Sequence, residues 1–252
     1  MDTELRGKVA IVTGGASGIG RAITGALAEA GVSTVFTYWQ SEQGAAQVAS
    51  SIESRGGKTL AMRADLTQEV EVARMVETTV STFGGIDILV TNSGGLLRRS
   101  SIADCSLELW NEALAINLTS TFLCCRAVLP CISQPGGSII TVSSLAGHDG
   151  GGAGSTHYAT AKGGVLTFTR ALAKEAGPIG VRVNSVAPGL INTQFHDRFS
   201  TPEGRQATVA RTPLRREGSP QDVAGTVLFL ASAQASFITG ETIEVNGGQG
   251  TY

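Results

Sequence analysis

The sequence predicts an α/β fold built around a doubly wound parallel sheet, on two regularities and one motif. Short apolar runs rich in β-branched residues alternate with longer stretches of helical period, the pattern of repeated strand and helix units. A glycine-rich turn, Thr13-Gly-Gly-Ala-Ser-Gly-Ile-Gly20, follows the first apolar run and opens the first helical stretch. The length of 252 residues suits one large core and is short for two catalytic domains, so residues 1–252 are read as a single domain.

Taken in order, the run from Lys8 to Thr13 is the first strand, and Gly18 to Ala30 the helix after it, closed by Gly31. Ser33 to Tyr38 is the second strand, and the helix Glu42 to Ser54 runs to a stop at Gly56. A third strand, Thr59 to Arg63, leads to the helix Glu69 to Phe83, ended by Gly84. Ile86 to Thr91 is the fourth strand and Leu107 to Leu129 a long helix. Ser138 to Val142, the helix His157 to Glu175, Arg182 to Val186, the helix Gln221 to Ser232 and Thr242 to Val245 complete seven strands, enough for a doubly wound sheet. Two segments break the rhythm and are the candidates for substrate contacts. One is the Gly-rich loop Ala146 to Ser155; the other is the polar excursion Gly189 to Pro220, with a short helix expected around Pro202 to Arg211.

Composition excludes several classes of function. Hydrophobic residues make up 42%, charged residues 16%, and the net charge is -2, which argues against disorder and against nucleic acid as a partner. The stretch Met1 to Lys8 carries charges up to the first apolar run, and no later run approaches the ~20 residues of a membrane span, so a cytoplasmic location without membrane attachment is expected. Cys105, Cys124, Cys125 and Cys131 form no CxxC pair and are expected as buried free thiols, three of them in one helical segment. His148, His157 and His196 lack ligand spacing, so no metal site is expected.

Two constellations carry chemistry. In the turn, Gly14 permits a tight bend, Gly18 and Gly20 permit close approach, and the helix N-terminus beyond Ser17 and Ile19 faces a pyrophosphate, the setting of a dinucleotide site. Asp65, ending the third strand beside Leu66, is placed for an adenine amino group or for a helix cap. Tyr158 and Lys162 stand four apart on one helix face, so the ammonium is expected to lower the phenol from its usual value of about 10 and make an acid–base catalyst. Ser144 precedes them, with Ser143 as a competing serine.

These motifs, with Thr91-Asn-Ser-Gly94, Asn117, Pro188-Gly189 and Glu244-Val-Asn-Gly-Gly248 in the same order, resemble the short-chain dehydrogenase/reductase family over essentially the whole length. The resemblance implies a Rossmann-like, seven-stranded parallel sheet with helices on both faces, and a homotetramer formed through the two long helices that start near Leu107 and His157. It implies that Tyr158 protonates a carbonyl oxygen while a nicotinamide delivers hydride, with Lys162 holding the phenolate and ribose hydroxyls, Ser144 bonding the carbonyl oxygen and Asn117 binding a water that links Lys162 to solvent. Cofactor contacts carried over with it fall on Gly14, Ser17, Gly18, Ile19, Gly20, Tyr38, Trp39, Asp65, Leu66, Asn92, Gly94, Tyr158, Lys162, Pro188, Gly189 and Thr193. The family's usual Asn-Asn-Ala-Gly is here Thr-Asn-Ser-Gly, one amide fewer, with the turn expected to survive.

The second strand ends Phe36-Thr-Tyr-Trp-Gln-Ser41, without the carboxylate that would repel a 2'-phosphate. The usual arginine partners of that phosphate are missing too, with Ser17 and Trp39 in their places; Thr37, Gln40 and Ser41 offer hydrogen bonds, and NADPH is favoured over NADH. Arg98, His148 and His196, with Arg99, Arg198 and Arg205 nearby, suggest a polar or anionic carbonyl substrate. Local stretches around His148 and His196 are similar to reductases of keto sugar acids, the first reading. The whole pattern is also similar to 3-oxoacyl carrier-protein reductases, and a non-catalytic dinucleotide-sensing protein is the alternative from another class.

Overall fold

The computed structural model describes residues 5–252. The expectation for the first residues of the chain therefore falls, from Met1 to Glu4, outside the described residues.

Seven strands form one parallel sheet: β1 Val9–Val12, β2 Ser33–Tyr38, β3 Thr59–Arg63, β4 Ile88–Thr91, β5 Ser138–Val142, β6 Arg182–Pro188 and β7 Thr242–Val245. The helices are α1 Gly18–Glu29, α2 Glu42–Glu53, α3 Glu69–Phe83, α4 Leu107–Leu114, α5 Ser120–Val128, α6 Ala146–Asp149, α7 Thr156–Ala176, α8 Gln194–Phe199, α9 Pro202–Arg211 and α10 Pro220–Ala231. Strand alternation sorts the core into two layers. Ala10, Val12, Ile88, Val90 and Ile140 face one way and meet α1, α2 and α10 through Ile23, Leu27, Val48 and Val227. Ile11, Val35, Leu89 and Ile139 face the other way and meet α3, α5 and α7 through Met75, Val76, Val128 and Leu172. Burial on both faces is why these strands read as continuous apolar runs.

Spatial order is β3-β2-β1-β4-β5-β6-β7, so β1 sits between β2 and β4 and the winding reverses there. Such a reversal leaves a crevice beyond the carboxyl ends of the two central strands. Thr13 and Asn92 follow those ends, and Ala10 registers with Ile88 across the pair.

Several boundaries differ from the sequence reading, for local reasons. The expected long helix from Leu107 is interrupted by a π-helical turn, Ala115–Thr119, between α4 and α5. The expected open loop after Ser144 contains the single turn α6, and the excursion after Gly189 carries two helices instead of one. Aromatic residues at Phe195 and Phe199 give α8 an apolar side that a polar reading of the segment passed over. Ile86 pairs with Ile132 in an isolated bridge and so stands outside β4. Cys124 and Cys125 are buried, Cys105 and Cys131 are half-buried, and all four thiols are free; Cys131 lies beyond the end of α5.

Candidate active site

The crevice is a cleft of about 1160 Å³, lined by every cofactor contact that the family resemblance carried over, from Gly14 to Thr193; Ser41, offered as a partner of the 2'-phosphate, does not line it. Its floor is the glycine turn. Gly14 has φ +65° and Gly18 φ +51°, a region that side chains resist. A β-carbon on Gly20 would lie 2.1 Å from the Gly14 carbonyl oxygen, so turn and helix touch backbone to backbone. Asn92 locks the turn from the neighbouring strand, donating to Thr13 O at 2.9 Å, while Thr13 Oγ1 accepts from the amides of Asn92 and Ser93 at 2.9 Å each. The turn is retained with one amide fewer, as expected, although Thr91 Oγ1 is left buried without a partner. Ser17 leads into α1 without a side-chain cap, which leaves first-turn amides free for an anion. Thr193 reaches Gly18 from the opposite wall, where a β-carbon would meet it at 3.5 Å. A turn whose glycines at 14, 18 and 20 present bare backbone, with open amides and a facing hydroxyl residue, fits the pyrophosphate of a nicotinamide dinucleotide.

At the adenine end, Asp65 Oδ1 accepts from the amide and hydroxyl of Thr67 at 3.0 and 2.7 Å. These bonds close a local turn and do not cap a helix, since the N-cap of α3 is Gln68 without a side-chain bond, and Asp65 lines the cleft. Pro188 and Gly189 close the far wall, and a β-carbon on Gly189 would meet Asn246 at 2.7 Å, which ties the Glu244-to-Gly248 stretch to the site.

Ser144, Tyr158 and Lys162 converge on the same cleft. Lys162 is buried and donates from Nζ to Val142 O at 2.8 Å, with Nζ 5.9 Å from the Tyr158 ring centre. Burial pulls its ammonium down to about 8. Burial also raises the phenol of Tyr158, and hydrogen bonding from the Ser144 hydroxyl offsets only part of that rise. This corrects the expectation of an amine-acidified tyrosine: the enclosed hydroxyl loses more from desolvation than it gains from an ammonium committed to a backbone carbonyl. Ser143 is resolved as structural, since its buried Oγ donates to Lys162 O at 2.8 Å.

Asn117 sits in the π-helical turn, fully buried. Its Nδ2 donates to Gly95 O and Ala113 O, both at 2.9 Å, and its Oδ1 accepts from the Gly95 amide at 3.0 Å. The side chain therefore clamps the Asn92-to-Leu97 segment onto the helix, which uses both Nδ2 hydrogens and leaves one lone pair of Oδ1 for a water. A β-carbon on Gly94 would come within 2.3 Å of Asn117 Oδ1, so glycine there is what lets the two elements meet.

Substrate residues fare unevenly. Arg98 and His196 line the cleft, with Arg98 exposed at its mouth. Burial, and then the charge of Arg205, hold the His196 imidazole below its ordinary value, so it meets the cleft uncharged at neutral pH. His148 is a correction: it lies off the cleft, stacked on Tyr252 with ring centres 4.6 Å apart, and its Nε2 is 2.9 Å from Glu244 Oε1 without the alignment of a hydrogen bond. The helical turn α6 carries it away from the cleft. Arg205 is spent on Glu217, Asp197 and Asn192, and Arg99 on the carbonyls of Phe199 and Ala153.

Sequence reasoning missed three groups. Phe195 stands 6.0 Å from Tyr158 between ring centres, backed by Phe199 at 5.0 Å, and both line the cleft. Leu97 lines it with φ +64°, a conformation rare for such a residue. Arg63, at the end of β3, lies over Trp39. The aromatic pair at spacing four, just after Thr193, was the one signal in the sequence.

Comparison with known proteins follows the same lines. Residues 14–249 match the family model described as enoyl-(acyl carrier protein) reductase. A 3-oxoacyl-(acyl-carrier-protein) reductase of Synechocystis is 40% identical over 248 residues, covering 98% of each chain. Another protein of that name, from Aquifex aeolicus, is 41% identical over 249 residues, covering 98% of this chain and 99% of its own. A crystal structure of a dehydrogenase/reductase from Sinorhizobium meliloti superposes with a TM-score of 0.94 at 32% identity, covering 100% of this chain and 99% of that one.

Proposed function

The chain belongs to the short-chain dehydrogenase/reductase family, and on that premise we propose that it reduces 3-oxoacyl thioesters with NADPH. The observation that carries the substrate class is the wall beside the catalytic tyrosine. Phe195 and Phe199 present aromatic surface there, which suits an acyl chain better than a polyol. The relatives named as 3-oxoacyl carrier-protein reductases favour the same class. The keto sugar acid reading loses three of its polar groups, since His148, Arg99 and Arg205 are engaged elsewhere. A sensing role without chemistry is disfavoured by the convergence of Ser144, Tyr158 and Lys162 in one cleft.

In this reading the nicotinamide, when bound, supplies hydride to the carbonyl carbon. The Tyr158 hydroxyl donates its proton to the carbonyl oxygen, and the Ser144 hydroxyl hydrogen-bonds that same oxygen. A phenol raised by burial keeps its proton at neutral pH, the state a proton donor needs. Lys162, held by Val142 O, keeps positive charge near the phenolate that remains. Asn117 acts as a positioning residue by fixing the segment that forms the cleft wall.

A cytoplasmic homotetramer is part of the proposal. Free thiols suit a reducing compartment. Exposed Leu107 and Phe122, on the long helix formed by α4 and α5, offer apolar surface for a second copy. The test is an absorbance assay that crosses NADPH and NADH with an acetoacetyl thioester, a crotonyl thioester and a 2-keto-3-deoxy sugar acid. NADPH with the acetoacetyl thioester is expected to give the highest kcat/KM; preference for the sugar acid or the crotonyl thioester would overturn it. Tyr158→Phe is expected to lower kcat by about 10²–10⁴-fold while dinucleotide binding persists.

A further inference from the structure

The end of β2 lacks the arginines that usually meet a 2'-phosphate, yet the fold brings one from elsewhere. In the parallel register of β2 and β3, Tyr38 pairs with Arg63, which places Arg63 at the same edge of the sheet as Trp39. Its guanidinium carbon lies 4.7 Å from the centre of the Trp39 ring, and its Nε donates to Trp39 O at 3.2 Å. Trp39, half exposed, lines the cleft between Tyr38 and Gln40. Among the described residues Arg63 has no carboxylate partner: the neighbouring Arg74 takes Glu71 and donates to the Arg63 carbonyl. The stack and the backbone bond fix the side chain while its terminal nitrogens keep their hydrogen-bonding capacity.

From this we infer that Arg63 is the residue that confers preference for a 2'-phosphorylated dinucleotide, reaching the phosphate from the stack on Trp39. A guanidinium binds phosphate through paired N–H donors, and its preorganisation on an aromatic face lowers the entropy lost on binding. Gln40, which lines the cleft beside Trp39, offers a neutral hydrogen bond near the same group, whereas Thr37 is buried and accepts from the Gly14 amide; no acidic residue lies between Phe36 and Ser41 to repel a phosphate. The inference rests on the NADPH reading above and is independent of the thioester.

Calorimetric titration with adenosine 2',5'-bisphosphate and with adenosine 5'-diphosphate tests it without turnover. For the unaltered protein, the bisphosphate is expected to bind more tightly, by a margin that shrinks as salt is raised. Arg63→Ala is expected to weaken the bisphosphate at least about tenfold and leave the diphosphate within about twofold, the loss of one charge-assisted contact. Arg63→Lys, which keeps the charge and loses the planar stack, is expected to fall between. Equal loss for both ligands, or none for either, in Arg63→Ala overturns the role of Arg63 while leaving NADPH preference standing. If the unaltered protein shows no preference for the bisphosphate, the NADPH reading fails and this inference fails with it.

Discussion

Among single residues, the cleft shows how burial competes with charge. The sequence put a lysine one helical turn from a tyrosine, and both do reach the cleft, but the ammonium bonds to Val142 O and burial sets the direction for each group. Spacing along a helix was legible; the depth at which the pair would lie was not, because desolvation depends on walls contributed by distant segments. The depressed lysine has a readable consequence. Its folded value is about 8 against 10.5 for the free side chain, so between those values the unfolded chain holds more protons than the folded one. Stability is therefore expected to rise with pH across that window and to lose the gain again as pH falls through about 8. Comparing urea midpoints of the cofactor-free protein and Lys162→Met at pH 7 and 10 checks this, since the variant should lack the lysine's share of the rise. Asn117 carries a similar lesson. A buried amide in mid-helix has two common fates, ligand contact or backbone repair, and only the fold shows that it holds Gly95 by both its amide and its carbonyl.

Secondary-structure elements were recovered best where period and punctuation agree. α3 ends at Gly84 with φ +88°, a left-handed stop written into the sequence, and the sheet strands stand within a few residues of their apolar runs. α10 starts one residue early because Ser219 and Asp222 form a reciprocal capping box around Pro220. Arg216 and the Ser219 amide hold the Asp222 carboxyl well below the usual carboxylate range. Ser219→Ala is expected to destabilise the protein by about 1 kcal/mol, read as a lower denaturation midpoint at unchanged slope. Where period failed, backbone geometry intervened. The π-helical turn at Ala115–Thr119 adds a residue to one turn and directs Asn117 to the Asn92-to-Leu97 segment, and nothing in the residue pattern marks it.

The whole molecule owes its cleft to the reversal of winding at β1, which sets the glycine turn and Asn92 side by side from distant parts of the chain. That much follows from repeated strand and helix units. The contents of the rim do not, since α8 and α6 decide which side chains point inward, and they send Phe195 toward the tyrosine and His148 away. Assembly is the remaining property at this scale. Sedimentation velocity is expected to give a tetramer, and Phe122→Asp, which sets charge on the exposed face of α5, to shift it toward smaller species.

The contact of Tyr252 with His148 reaches into practice. Because the Tyr252 ring rests on His148 in the short helix that follows Ser144, Tyr252→Ala is expected to loosen that turn and the serine beside it. Tyr252→Phe keeps the ring, and unequal KM values between the two variants would gauge how far this aromatic side chain stiffens substrate capture.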